Sequence, residues 1–279
     1  MAAGLLLALL LSNGAVAGAD DSGCVTAACH PEMGKGRFVH APVLSHDCGS
    51  CHLPTGKRHP AEKGAFTLAA SGAALCYMCH EEKGRKKTVH APVAAGDCTS
   101  CHDPHQSPYR RQLKEFGAQL CFTCHDGMER MAREGRSVHA PFLEGDCRAC
   151  HDPHSSDFGK LLTSSYPGDY YLSYTPDSYR LCFGCHNVEI ATFRRTTVDT
   201  GFRNGDTNLH YIHVNRVDKG RSCKVCHDPH AAQQYKLVKS SIPGFGRWAV
   251  PIKLKLTKTG GTCVVGCHKP QTYDREQAR

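Results

Sequence analysis

Apolar positions along this chain come in short steps rather than long periodic runs. Leu5 to Leu11 is almost wholly apolar, and Ala15-Val16-Ala17 behind it has the small-x-small form of a signal-peptidase site. This predicts a leader over 1–17 and a mature chain starting near Gly18; the apolar stretch is too short to span a membrane. Asp21-Ser22-Gly23 before Cys24 does not resemble a lipid-attachment context. Near the other end, Ile252-Lys-Leu254-Lys-Leu256 alternates apolar and basic residues, as a half-buried strand does. The strand is expected within 247–258, with Arg247, Lys253, Lys255 and Lys258 along its wet face, where lysines also guard an exposed edge. Between these ends the pattern leaves room only for short helices and turns.

The cysteines change the picture. All 18 fall into nine close pairs, and each pair is followed at once by histidine. Seven pairs read C-x-x-C-H: Cys48/Cys51/His52, Cys76/Cys79/His80, Cys98/Cys101/His102, Cys121/Cys124/His125, Cys147/Cys150/His151, Cys182/Cys185/His186 and Cys223/Cys226/His227. This is the attachment signature of c-type haem. Two intervening residues let both thiols reach the vinyl groups of one porphyrin edge, and the next imidazole swings under the iron. Each C-x-x-C-H is expected to sit on a helical turn. Two further motifs are longer, Cys24/Cys29/His30 and Cys263/Cys267/His268, and either alone would also suit a small disulfide loop. Gly266 would ease the second of them.

A repeat argues for counting both. Phe38-VHAPVLSHDCGSCH, Thr88-VHAPVAAGDCTSCHDPH and Ser137-VHAPFLEGDCRACHDPH align, with a diverged copy at Tyr211-IHVNRVDKGRSCKVCHDPH. Between them stand Leu75-CYMCH, Leu120-CFTCH and Leu181-CFGCH. Residues 18–279 then read as repeats 24–75, 76–120, 121–181 and 182–262 with a half repeat 263–279, and the long motifs occupy regular slots. From Cys24 to Tyr273 the chain resembles the doubled-CxxCH multihaem cytochromes c of metal-reducing and related anaerobic bacteria. The C-H-D-P-H boxes, Phe202-Arg-Asn-Gly-Asp206 with Leu209-His-Tyr-Ile-His213, and Thr259-Gly-Gly-Thr-Cys with Gly266-Cys-His-Lys-Pro270 carry the likeness. It implies electron transfer, with an inner-membrane or periplasmic donor and an outer-membrane cytochrome or porin–cytochrome complex as acceptor.

Ten histidines remain outside the motifs: His40, His46, His59, His90, His105, His139, His154, His210, His213 and His230. Nine irons with two imidazoles each need nine of them. His102 and His105 are too close in the chain to approach one iron from opposite faces, and the same holds for His151/His154 and His227/His230. The expectation is that His40, His90, His139 and His213 cap the haems just downstream, at Cys48, Cys98, Cys147 and Cys223. His59, His105, His154 and His230 would then cap those at Cys76, Cys121, Cys182 and Cys263, leaving His46 or His210 for the first. Asp103, Asp152 and Asp228 would either orient an imidazole or serve a turn beside proline. The histidine supply leaves Met33, Met78, Met128 and Met131 unneeded as ligands.

Composition agrees. Apolar residues make up 40% and aromatics 8%, with 27 Gly and 15 Pro, which is too little for a protein-only core of this size. The expected fold is therefore a set of short α-helices and irregular loops wrapped around a haem chain, with minimal β structure. Five tyrosines, Tyr166, Tyr170, Tyr171, Tyr174 and Tyr179, fall in the insert Ser155 to Arg180 and would pack on haem edges. The formal charge of +8 is largely offset by haem propionates, so it does not call for nucleic acid. With both axial sites of each iron filled, the expected protein is an exported, periplasmic or secreted electron carrier and not an enzyme. A reductase with one open haem would depart from this count, and the C-x-x-C-K motif of nitrite-reducing relatives is missing. An extracellular haem filament is the other alternative, recognised by fibres of the pure protein.

Overall fold

A computed structural model describes residues 23–244 and 247–278. The leader expected over 1–17 lies outside the described residues. The chain divides into two compact units: one holds the described residues up to Leu75 with His102–Leu113, the other Cys76–Cys101 with everything from Lys114 onward.

Each V-H-x-P segment folds the same way. A two-residue strand, Phe38–Val39, Thr88–Val89 or Ser137–Val138, leads into an extended histidine and then one helical turn, Ala41–Leu44, Ala91–Ala94 or Ala140–Leu143. Proline in the first turn starts it, because its φ is preset and that turn's N–H groups have no partner inside the helix. A left-handed residue ends the turn: Gly96 and Gly145 at φ 71° and 74°, and His46 at φ 58° in the first copy. The Asp47 and Asp97 carboxylates then accept the Ser50 and Ser100 amides at 3.2 and 3.0 Å, capping the 3₁₀ turns Cys48–Ser50 and Cys98–Ser100.

In both units the V-H-x-P strands pair antiparallel with the residues just after a C-H-D-P-H box. Phe38–Val39 pairs with Gln106–Ser107 in one unit. In the other, Thr88–Val89 pairs with Ser155–Ser156 and Ser137–Val138 with Ala231–Ala232. These ladders are two residues long, yet they tie each V-H-x-P histidine to a box histidine far along the chain: His40, His90 and His139 donate their amides to the carbonyls of His105, His154 and His230 at 2.9, 3.0 and 2.9 Å.

The expectation of minimal β structure needs correcting. Besides these ladders, Ser241–Pro243, Ala249–Leu256, Gly260–Val265 and His268–Asp274 form a four-stranded antiparallel sheet. The strand expected from alternation is its second member: Val250 and Ile252 are buried and Lys253 and Lys255 face out. Val250 and Ile252 pack with Val225, Val238 and Ile242 in one small apolar cluster. A second cluster holds three of the five insert tyrosines. Tyr179, fully buried, lies against Tyr166 and Tyr174, with Ala191 and Val214 beside them, so its ring is held by protein on all sides. Among the described residues no helix is long and apolar enough to cross a membrane.

Candidate functional site

Most motifs start on one turn of helix or 3₁₀ helix, as in Cys147–Ala149, Arg180–Phe183 and Cys223–Cys226. The turn closes with the histidine amide bonded to the first cysteine's carbonyl, at 3.0 Å in His151 and 2.9 Å in His186 and His227. The long first motif keeps that closure, His30 N to Cys24 O at 3.2 Å. The last motif departs from it. Cys263 lies in strand Gly260–Val265, and the register shifts between Cys263 and Val265 before His268 begins the next strand. Gly266 serves there by close approach: a Cβ would stand 2.7 Å from Val250.

At several slots the regular helix ends before the second cysteine, although the closing bond still spans the motif. Cys51, Cys79, Cys124 and Cys185 stand just past the turns Cys48–Ser50, Ala73–Tyr77, Ala118–Phe122 and Arg180–Phe183, and Cys267 stands between two strands. The first cysteine of every pair is half-buried, but the second differs by slot: Cys29, Cys79, Cys124, Cys185 and Cys267 are exposed, whereas Cys51, Cys101, Cys150 and Cys226 are half-buried. The cause is a returning strand of chain, since the amides of Ala69, Lys114, Thr163 and Lys239 bond the carbonyls of those four at 2.8–3.0 Å. The long pairs Cys24/Cys29 and Cys263/Cys267 are not joined as disulfides.

Seven motif histidines each face a histidine from outside the motifs. Ring centres are 6.0 Å apart in His30–His59 and His52–His105, 6.2 Å in His90–His125 and 5.9 Å in His139–His186. They are 6.2 Å apart in His151–His230, 6.3 Å in His210–His227 and 6.4 Å in His213–His268. Facing rings in van der Waals contact would stand closer. A metal–imidazole bond is about 2 Å, with the ring centre roughly 1 Å beyond the nitrogen, so two imidazoles trans across one metal ion have centres about 6 Å apart. The residues therefore fit an iron held from both faces. Among the described residues no three His, Cys, Asp or Glu side chains converge on a point, as a free-metal site would require.

These pairings replace the ones expected from nearness in sequence. His90, His139 and His213 face His125, His186 and His268, not the motifs just downstream of them. His105 and His230 face backward, to His52 and His151, and His59 faces His30. Of the two candidates for the first haem neither is the ring that faces His30, which is His59. His210 faces His227, and His46 is exposed on its turn. The cause is the ladders, which set a V-H-x-P histidine against a box histidine of a later copy and override local spacing. The two histidines of one box face different partners, His227 facing His210 and His230 facing His151.

Backbone groups aim the rings. His40 and His90 donate Nδ1–H to the carbonyls of Pro104 and Pro153 at 2.9 and 3.0 Å, and His213 to Leu209 at 2.6 Å. A carbonyl only accepts, so Nδ1 carries the proton and Nε2 is left for iron. Asp103 and Asp228 stand 3.7 and 3.8 Å from Nδ1 of His105 and His230, beyond hydrogen-bond reach. Their carboxylates and that of Asp152 instead accept the amides of His105, His154 and His230 at 2.8, 2.9 and 3.0 Å, the turn role. Burial pushes the pKa of His210 down to about 4 and lowers those of His213, His227 and His230, favouring the neutral ring that a metal needs.

Sequence reasoning missed Asn208. Fully buried, it caps helix Leu209–Val214, which carries both His210 and His213. Its Oδ1 accepts the His210 and Tyr211 amides at 2.9 and 3.3 Å, and its Nδ2 donates to the carbonyls of Ile190 and Phe193 at 3.0 and 2.8 Å. An N-cap asparagine before L-H-x-x-H was the available signal.

The model of the doubled CXXCH motif family matches residues 40–85, 90–130 and 139–191. Each match opens on a V-H-x-P histidine, and in the second and third that histidine faces the last motif histidine of its own segment, His125 or His186. A search of curated proteins finds no match. Paired attachment motifs and paired imidazoles thus describe one design, and the chain belongs to the doubled CXXCH motif family of multihaem c-type cytochromes, its CXXCH motifs being sites for covalently bound haem c.

Proposed function

We propose that this chain is an exported electron carrier of the periplasm or cell surface, with nine haems each held by two histidines, and that it is not an enzyme. The observation that carries the reading is the set of opposed imidazoles about 6 Å apart, each pairing a motif histidine with one from elsewhere. A haem iron with both axial positions filled supplies one-electron exchange and leaves no position for a substrate. The chain's own part is to anchor and to aim. The eighteen cysteines fix the porphyrin edges, and His30, His52, His80, His102, His125, His151, His186, His227 and His268 take one face. The proposed second-face set is His40, His59, His90, His105, His139, His154, His210, His213 and His230, with His46 outside it. Boxes such as His227-Asp-Pro-His230 commit two histidines within roughly 10 Å of chain to two different irons, which holds neighbouring haems at electron-transfer range. Partners of the matching chemistry are one-electron redox proteins.

Electron paramagnetic resonance of the ferric holoprotein, with a haem count per chain, tests this. Nine haems, all low-spin, are expected. A stoichiometric high-spin signal would overturn the carrier reading in favour of a reductase.

A further inference from the structure

Backbone strain is concentrated at one point of the repeat. Of the eight non-glycine residues with positive φ among the described residues, six form three consecutive pairs: Arg111-Gln112 (62°, 51°), Lys160-Leu161 (57°, 58°) and Lys236-Leu237 (60°, 58°). A side chain in this region crowds its Cβ against the following carbonyl, and glycine would hold the shape at less cost. The first residue of each pair is basic and the second is Gln or Leu, and neither type favours this conformation. The backbone shape is what the three loops have in common.

What the shape achieves is visible in its carbonyls. In a strand successive carbonyls point to opposite sides, whereas two successive left-handed residues turn both to the same side. The first carbonyl of each pair accepts the Nδ1–H of a motif histidine: Arg111 from His102 at 2.8 Å, Lys160 from His151 at 2.9 Å, Lys236 from His227 at 2.8 Å. The second accepts the amide of the aspartate that follows that histidine: Gln112 from Asp103 and Leu161 from Asp152 at 2.8 Å, Leu237 from Asp228 at 2.9 Å. Each loop grips the ring and the next peptide together. The following residue, Leu113, Leu162 or Val238, bridges back to the same histidine.

We propose that Arg111, Lys160 and Lys236 are positioning residues for the motif imidazoles of His102, His151 and His227, acting through their left-handed backbone carbonyls. The inference rests on those histidines being iron ligands. The bond fixes the ring plane and keeps the proton on Nδ1. It also makes the imidazole a stronger donor to iron, which lowers the reduction potential of that haem.

The test uses the full holoprotein with Lys236→Gly and Lys236→Pro. Glycine keeps the left-handed conformation, while proline fixes φ near −65° and turns the carbonyl away. Redox titration followed by visible absorption, with paramagnetic resonance of the oxidised forms, is the readout. The glycine variant, which loses the side-chain charge but keeps the carbonyl bond, is expected to shift less than the proline variant. The proline variant is expected to stay low-spin while one haem's share of the titration moves to higher potential. A proline titration that overlays the unsubstituted one, or a glycine variant that shifts equally, overturns the proposal. If Lys236→Pro does not mature with its full haem complement, hydrogen exchange decides, followed by NMR on ¹⁵N-histidine-labelled unsubstituted protein. Nδ1 protons of His102, His151 and His227 that persist in D2O support the bond, and immediate exchange refutes it. A high-spin signal in the unsubstituted protein would instead defeat the bis-histidine reading, so the two failures are distinguishable.

Discussion

Asn208→Ala should loosen the helix that presents two of the proposed iron ligands, His210 and His213. The substitution removes an N-cap that accepts two amides, a loss of about 1 kcal/mol. It also strips donors from the carbonyls of Ile190 and Phe193, beside a site whose own side chain is fully buried, at about 1 kcal/mol for each acceptor left unmet. The total is about 3 kcal/mol, which lowers the thermal midpoint of the holoprotein by roughly 6 to 12 °C. The measurement is a melt followed by far-ultraviolet circular dichroism and by the low-spin haem spectrum. Because His210 and His213 ride on this helix, low-spin character should be lost at lower temperature than in the unsubstituted protein. Asn208→Asp separates the two contributions, since it keeps the cap acceptor and loses both donors. A midpoint for Asn208→Ala within about 2 °C of the unsubstituted protein would refute the reasoning, because neither cap nor carbonyls would then carry stability.

His46→Gly should raise stability by about 1 kcal/mol, since φ 58° is strained for histidine and its sister positions are Gly96 and Gly145. Denaturant midpoints check the gain, and a new high-spin haem would show that His46 is a ligand after all. His139→Gly should open the haem attached at Cys182/Cys185, not the nearer one at Cys147/Cys150, because its ring faces His186. Carbon monoxide binding to the reduced protein reads the open site, and adding Cys182→Ala and Cys185→Ala must abolish that binding if the pairing is right. Chain produced without haem attachment should lack the far-ultraviolet signal of folded protein, because two small apolar clusters cannot offset the chain entropy. A cooperative melt of that apo form would contradict this.

The sequence alone determined the covalent chemistry, because attaching a haem is a local act. Two thiols and a histidine within a few residues reach one porphyrin whatever the rest of the chain does, so the motifs were legible one by one. The repeat, the box turns and the alternating strand at Ala249–Leu256 were legible for the same reason, each being set by neighbours in sequence. Only the tertiary structure decided which histidine faces which. That choice depends on two-residue ladders such as Ser137–Val138 with Ala231–Ala232, too short to leave a pattern and joining residues far apart in the chain. Spacing argued that His139 belongs to the nearest motif, but its strand carries it past that motif to His186. The left-handed pair at Lys160-Leu161 was hidden too, since neither residue favours that conformation. It is held because the His151 ring and the Asp152 amide both bond to its carbonyls, and no local propensity records such contacts.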